Sequence, residues 1–424
     1  MKEMLEFGQA LDEVLSRIEA LEAETSHISD CLGQVMAEDI YAGIDVPPQD
    51  IATRDGYAVR SADVQGASPD NPRRLRVTDA VFAGSSAKQK VAEGTAIRIM
   101  TGVPVPDDAD SIVCFEDTRE VEPESPECFI EVLRETGAGS NILGAGGHIT
   151  KGSLLVSKGM IVRPMTINLL ASSGIASVSV TRRPVVAIIA TGEELVELGE
   201  TLTEDQVYNS NIYGLAASVL RCGGIPEMMG IAGDNEAATI GCIHRSMDAD
   251  IIITSGGSSK GDRDLIKPII ARLGEIVFSK VRTSPGMPFS FGLIEDSWSD
   301  GRSRKIPLFA LPGVPSGCFV SFEMFARPAI LKLAGKSRLA PPTIEARMAE
   351  SFSRKKNNMH LRWVKVKKRN GEYIASHNYV PDSGIMTSMA YANGLVIVPE
   401  GRNEIRSGEK VKVIILDWQE ENFI

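Results

Sequence analysis

Ser255-Gly256-Gly257-Ser258-Ser259 follows directly on the apolar run Ile251 to Thr254. Two adjacent glycines let backbone amides approach an anion closely, and the flanking serines add hydroxyl donors, so the turn suits a phosphate or an oxyanion. Lys260 and Arg263 lie beside it, and Asp262 and Asp264 follow. The spacing is neither a Walker loop nor a full GxGxxG, and a plain reversal at a sheet end reads the same way. Glu193, Glu194, Asp234 and Asp264 are candidate ligands for a hard cation such as Mg2+, which takes carboxylate oxygens together with phosphates supplied by a substrate. Taken singly each is an ordinary solvated acid; only their position at strand ends sets them apart. In Pro312-Gly313-Val314-Pro315 the prolines fix a loop and the glycine permits close backbone approach to a ligand, although a rigid turn alone also accounts for it.

Such residues act together only if a frame brings them to one edge. Three strand-to-loop junctions, Val185 to Leu195, Ile251 to Asp264 and Pro307 to Ser316, each run from a short apolar stretch into Gly, Ser, Thr or Pro. The second and third then return to helical periodicity. A parallel α/β sheet reads in this way, and ligands bind at the carboxyl ends of its strands. The expectation is one acidic, glycine-lined crevice carrying Thr191, Glu194, Ser255, Asp264 and Pro312.

The rest of the chain divides by pattern. Met4, Phe7, Leu11, Val14, Leu15, Ile18 and Leu21 recur at helical steps, predicting an amphipathic helix over residues 2 to 23 that faces either a core or a subunit interface. From Ile44 to Gly139 short β-type runs broken by Pro and Gly predict a small β-rich domain, inserted into a framework that resumes near residue 146 with a helix at Met165 to Ser173. Arg182-Arg183-Pro184 precedes the first long buried strand, strands and helices alternate to about Gly335, and only short strand patterns follow Lys336 to Pro342. The resulting division is an elongated linker domain (1–45 and 141–182), the β-rich insert (46–140), a doubly wound α/β domain (183–335) and a carboxyl-terminal β-barrel (336–424).

Composition narrows the function classes. With 424 residues the chain exceeds a single core, and a net charge of −11 carries no global basic footprint for nucleic acid. The six cysteines form no CxxC pair and the five histidines no metal-ligand spacing, which argues against structural zinc or a disulfide scaffold. The acidic amphipathic amino terminus is not a signal sequence and no run approaches a membrane span, so the expected location is cytoplasmic.

Taken in order, VPPQDIATRDGYAV, VFAG, IMTGVPVP, VVAIIATGEEL, YNSN, SGGSSKGDRD, SPGMPFSFG, LPGVPSG, VIVPEG and SGEKVKV resemble the molybdopterin molybdenumtransferase family, bacterial proteins related to the carboxyl-terminal domain of gephyrin. The resemblance implies an elongated homodimer with an intermolecular active site, in which the α/β part of one subunit faces the β-rich part of the other. It implies replacement of the adenylyl group of adenylylated molybdopterin by molybdate or tungstate with release of AMP, with Mg2+ as cofactor. A molybdopterin adenylyltransferase or a recipient molybdoenzyme is then a natural partner. Carried over by motif, Asp55, Thr101, Glu194, Asp234, Asp264, Pro312 and Pro315 keep the family's residue types. Asp264, Asp234 and Glu194 are assigned to metal and water, Ser255, Gly256, Gly257 and Ser258 to phosphate, Pro312, Gly313 and Pro315 to the substrate, and Asp55 and Thr101 to closing the site across the dimer.

The departures fall on positive charge. The family's KPGKP stands here as Ser284-Pro285-Gly286-Met287-Pro288, so two oxyanion-holding lysines are absent. PGNP stands as Pro312-Gly313-Val314-Pro315, an RxRGED-like segment as Leu143 to His148, and a GRxEFxR-like stretch as Asn357 to Arg362, keeping only its last arginine. Lys260, Arg263, Lys280 and Arg282 are the candidates to replace the lost charge. Besides a working insertase, two alternatives follow: a paralogue that binds the pterin without turnover, as carrier or assembly protein, and an adenylyltransferase acting one step earlier.

Overall fold

The structure, a computed structural model, describes residues 3–85, 87–121, 127–233, 235–256, 265–297, 303–354, 358–377 and 385–416. It divides into two compact units, Ser26–Leu32 with Glu38–Val178, and Met1–Thr25 with Gly33–Ala37 and Ser179–Ile424.

The first unit is built on a six-stranded sheet in the order Ser111–Cys114, Gly56–Val59, Thr95–Ile99, Arg73–Val81, Phe129–Val132, Thr118–Val121. Side chains alternate across a strand, so Tyr57 and Val59 enter one cluster with Leu75, Val113 and Ile130, while Ala58 enters another with Val81, Ile97 and Ile112. All four residues of Gly56–Val59 are buried. A Cβ on Gly56 would lie 1.9 Å from the Val113 carbonyl oxygen, so the close approach of these strands requires glycine directly after Asp55. The helix Pro164–Ser172 starts with proline in its first turn, where the missing N–H costs nothing.

The second unit holds a six-stranded sheet in the order Ile225–Ala232, Val185–Thr191, Ile251–Ser255, Ser303–Leu311, Ser290–Ser297, Gly274–Phe278. The first four are parallel, and Ser290–Ser297 is antiparallel to both its neighbours, so the expected parallel sheet is closed on one side by a hairpin. Val186, Ile188, Ile251 and Ile253 pack into one core with helices Ser210–Cys222 and Arg327–Leu333; Ala187, Ile189 and Ile252 pack into another with Glu236–Arg245 and Ile266–Leu273. Both faces are therefore covered, which explains the continuous apolar runs. Beyond the linker, Met359–Arg369, Glu372–His377, Thr343–Met348, Lys410–Ile415 and Gly394–Val398 pair in sequence, and the last returns to the first to close a five-stranded barrel. Its interior is Val364, Val366, Ala375, Val396, Val411 and Val413.

The predicted helix over 2 to 23 is shorter, Phe7–Leu15. Leu5 is extended and bridges Val281; past the helix the Arg17 and Ile18 amides close a turn on the Val14 and Leu15 carbonyls, and the Leu21 amide then donates to the Leu333 carbonyl at 2.8 Å. Ile18 is buried at the end of this turn, beyond the helix. Within the helix Ala10 and Val14 are fully buried and Phe7 packs on Phe325, so its stripe faces the chain's own core. Among the described residues no helix is long and apolar enough to cross a membrane.

Candidate active site

Strand register decides where the three loops begin. Ala190 stands opposite Ser255, and Ser255 opposite Leu311, so the strands end at one level and their loops leave together. Gly256 has φ of 102°, and a Cβ there would lie 2.2 Å from the Thr191 carbonyl oxygen. Only glycine adopts this conformation without strain and tolerates that approach. A Cβ on Gly313 would in turn stand 3.4 Å from the Gly256 Cα, which places the third loop against the second. The Asn211 amide fastens them, donating through Nδ2 to Ser255 Oγ at 2.9 Å and to the Gly313 carbonyl at 2.8 Å. The loops enclose a crevice of about 310 Å³ lined by Thr191, Glu194, Tyr208, Asn211, Ser255 and Pro315, among others.

The lining is suited to a phosphorylated ligand. The helix Ser210–Cys222 begins at the crevice, and the free amides and dipole of a helix start favour anions. Thr191 Oγ1 and Asn211 Oδ1 are shielded from solvent and have no hydrogen-bond partner among the described residues. A buried oxygen left in that condition costs about 1–3 kcal/mol, a cost that an incoming donor would offset. Cys318 Sγ lies 3.7 Å from Ser255 Oγ, but burial pushes its thiol up to about 12, which keeps it protonated and unsuited to nucleophilic work.

The same lining carries oxygens of the type a hard cation accepts. Among the described residues no three His, Cys, Asp or Glu side chains form a metal cluster. Mg2+ does not require one, because it binds through one or two carboxylates and completes its shell with water and substrate phosphate. Glu194 offers the carboxylate, and Thr191 Oγ1 and Asn211 Oδ1 are unsatisfied neutral oxygens of the type such an ion accepts.

The expected residues are thus distributed as follows. Thr191, Glu194, Ser255, Gly256, Gly313 and Pro315 come together in or against the crevice, and Pro312 is buried beside it, with its ring 3.3 Å from where a Gly317 Cβ would stand. Asp234, Gly257, Ser258, Ser259, Lys260, Asp262, Arg263 and Asp264 lie outside the described residues. Asp55 and Thr101 meet in the other unit, where Asp55 Oδ1 accepts from the Thr101 amide at 2.7 Å and its hydroxyl at 2.8 Å. These two bonds hold the Asp55 carboxyl below its ordinary range. Asn211 is the residue to which motif reading gave no role, although Tyr208-Asn209-Ser210-Asn211 is among the resembling segments; the cap of the helix is Asn209.

The segment that departs from the family is also well placed. Thr283–Ser284 adds to the barrel strand Met359–Arg369, with Ser284 opposite His360. Burial, together with Arg354 and Arg362 nearby, pushes the His360 imidazole down to about 4, so it is neutral beside Ser284. Arg282, one candidate for replacement charge, faces Glu6 at 2.8 Å and Glu400 at 3.9 Å and is already paired. Arg362 stacks over Phe352 at 4.5 Å and donates through Nε to His377 Nδ1 at 3.0 Å.

A doubly wound sheet with a crevice where its parallel strands end, joined to a small β-barrel, is an architecture suited to binding a phosphorylated ligand. Comparison with known proteins gives the same parts in the same order: residues 5–174 match the MoeA N-terminal region (domain I and II), 187–332 a probable molybdopterin binding domain, and 345–416 the MoeA C-terminal region (domain IV). The chain is 35% identical over 405 residues to the molybdopterin molybdenumtransferase of Bacillus subtilis, covering 95% of this chain and 91% of that one. It is 32% identical to that of Staphylococcus aureus strain MSSA476, covering 96% and 95%. The crystal structure of the molybdopterin biosynthesis MoeA protein from Pyrococcus horikosii superposes with a TM-score of 0.79 at 32% identity, over 98% of this chain and 100% of that one. The chain belongs to the molybdopterin molybdenumtransferase family.

Proposed function

We propose that this protein is a molybdopterin molybdenumtransferase of molybdenum cofactor biosynthesis, replacing the adenylyl group of adenylylated molybdopterin by molybdate or tungstate and releasing AMP. The observation that carries the proposal is the crevice in which Asn211 ties Ser255 to Gly313, in a chain matching transferases of that name along 95% of its length. In this reading the amides about Gly256 and the start of Ser210–Cys222 receive phosphate. Glu194, with Asp234 and Asp264, holds Mg2+, which when bound neutralises phosphate charge. The protein works in the cytoplasm as a homodimer, with Asp55 and Thr101 of one subunit ordering a loop that completes the other's crevice.

One observation favours a second reading. Where the resemblance leads one to expect lysine, Ser284 lies beside a neutral imidazole, and Arg282 is engaged by acids. A protein that binds the adenylate without turning it over would keep its glycine turns and lose that charge. Purified protein given adenylylated molybdopterin, Mg2+ and molybdate or tungstate separates the two. AMP release that requires the oxyanion and is lost in Asp264→Ala supports the transferase. Adenylate that stays bound and uncleaved overturns it in favour of a carrier. Ser284→Lys combined with Met287→Lys raises the rate if the missing charge limits turnover.

A further inference from the structure

Glu323 is a buried acid at the border of the sheet domain and the barrel, near Trp363 and Leu416. It belongs to the π-helical stretch Phe322–Ala326, all five residues of which are buried, and its side chain is only 8% exposed. Widened helical turns of this kind recur at functional sites. Two guanidiniums meet it there. Arg221, on the helix Ser210–Cys222, donates through Nη2 to Glu323 Oε1, and Arg327 Nε stands 3.8 Å from Oε2. Each arginine also reaches further: Arg221 Nη1 donates to the Leu416 carbonyl at 3.0 Å, and Arg327 Nη1 to the Leu339 carbonyl at 3.2 Å. One buried charge therefore ties the sheet domain to the linker that enters the barrel and to the residue that follows its last strand, Lys410–Ile415.

The second of these ties leads to the crevice. The Leu416 amide donates to the Asn393 carbonyl at 2.9 Å. Asn393 is buried, accepting from the Val366 amide at 2.7 Å and donating to the Val366 carbonyl at 3.0 Å, so it is fixed in the barrel. It stands two residues beyond the helix Ile385–Tyr391, and Met386 of that helix lines the crevice with Thr191, Ser255 and Pro315. A helix of 7 residues has little stability of its own, and Met386 and Tyr391 are exposed, so its position is set largely by what holds its ends. We propose that Glu323 is a positioning residue for the reaction at the crevice: through Arg221, Leu416 and Asn393 it holds the helix Ile385–Tyr391 as a wall of the crevice, and so sets how tightly substrate is held without touching it. The proposal rests on the transferase reading for its substrate, and on the hydrogen bonds alone for its path.

The test compares the full-length wild type with Glu323→Gln and Arg221→Lys, by steady-state AMP release and by amide hydrogen exchange of the peptide Met386 to Ala392. Glu323→Gln keeps the volume and removes the charge; Arg221→Lys keeps a charge and removes the fork that spans Glu323 and Leu416. Because Arg221 is 45% exposed, the second variant serves where the first does not fold. Each variant is expected to raise KM about fivefold with kcat kept within about twofold, and to speed exchange in the peptide. The double variant raises KM no further than the larger single effect, because both changes cut one path. A lowered thermal transition with unchanged KM and unchanged exchange reduces the pair to a strut and overturns the proposal. Effects that multiply in the double variant overturn it as well, since the two residues then act separately. A wild type that releases no AMP defeats the transferase reading alone; faster exchange of the peptide in the variants then still supports the path, and unchanged exchange overturns it.

Discussion

Two polar constellations in this protein, the Asp55–Thr101 pair and the Thr191–Asn211–Ser255 crevice, look alike as motifs and differ as chemistry. Asp55 and Thr101 are exposed, and one carboxylate oxygen already takes both donors that Thr101 offers. The crevice is the reverse: Thr191 and Ser255 are buried, and the Thr191 hydroxyl and the Asn211 carbonyl have no partner among the described residues. A satisfied exposed pair shapes its own loop, whereas unsatisfied buried oxygens gain most from an incoming partner. On the proposed reading the first is a positioning device and the second a binding surface.

Substitution at Gly256 puts that difference to its hardest test. Alanine there combines a φ of 102° with a 2.2 Å approach to the Thr191 carbonyl, so two of the three loops must separate. A misplacement of about 1 Å at a reacting centre costs on the order of 100-fold, and Gly256→Ala is expected to lower kcat/KM for AMP release by about that factor. Activity kept within a few-fold would mean that the loops are not a preorganised anion site. Asn211→Ala follows in size. It removes both bonds that join Ser255 to Gly313, and a loss of about tenfold in kcat/KM is expected, with a modest fall in thermal stability. An equal fall in stability with unchanged kcat/KM would reduce Asn211 to a strut.

The loops were legible in the sequence because the strands carrying them are covered on both faces, which leaves Val185 to Thr191 and Ile251 to Ser255 as unbroken apolar runs with abrupt ends. Asn211 was not, since nothing in its identity tells that its amide crosses to two loops 44 and 102 residues away. The carboxyl-terminal barrel was legible as a run of short strands, but not the pairing that closes it. Closure depends on Met359–Arg369 pairing with both Glu372–His377 and Gly394–Val398, and a strand pattern names no partner. The amino-terminal helix was drawn too long because Ile18 and Leu21 kept the apolar period, yet Ile18 ends a turn beyond the helix and Leu21 is bonded to Leu333. Burial preserves periodicity without preserving helix.

The smallest effect belongs to the satisfied pair. Its two hydrogen bonds to Thr101 keep the folded Asp55 carboxyl below the unfolded value of about 3.9, so the ionised form is favoured by folding. The stabilisation is present above about pH 4 and is lost as pH falls through the lower folded pKa, because there the native carboxyl must also protonate. Asp55→Asn removes this dependence. Urea unfolding of the wild type and the variant between about pH 2.5 and pH 6 should therefore give curves that lie apart at the upper end and converge on acidification, with the variant flatter. Because the carboxyl is exposed, the separation is expected to be small and to leave AMP release at neutral pH much less affected than Asn211→Ala does. A turnover loss in Asp55→Asn that matches Gly256→Ala would reverse the assignment. It would make Asp55 a group that touches substrate, with Thr101 holding its charge in place for that purpose.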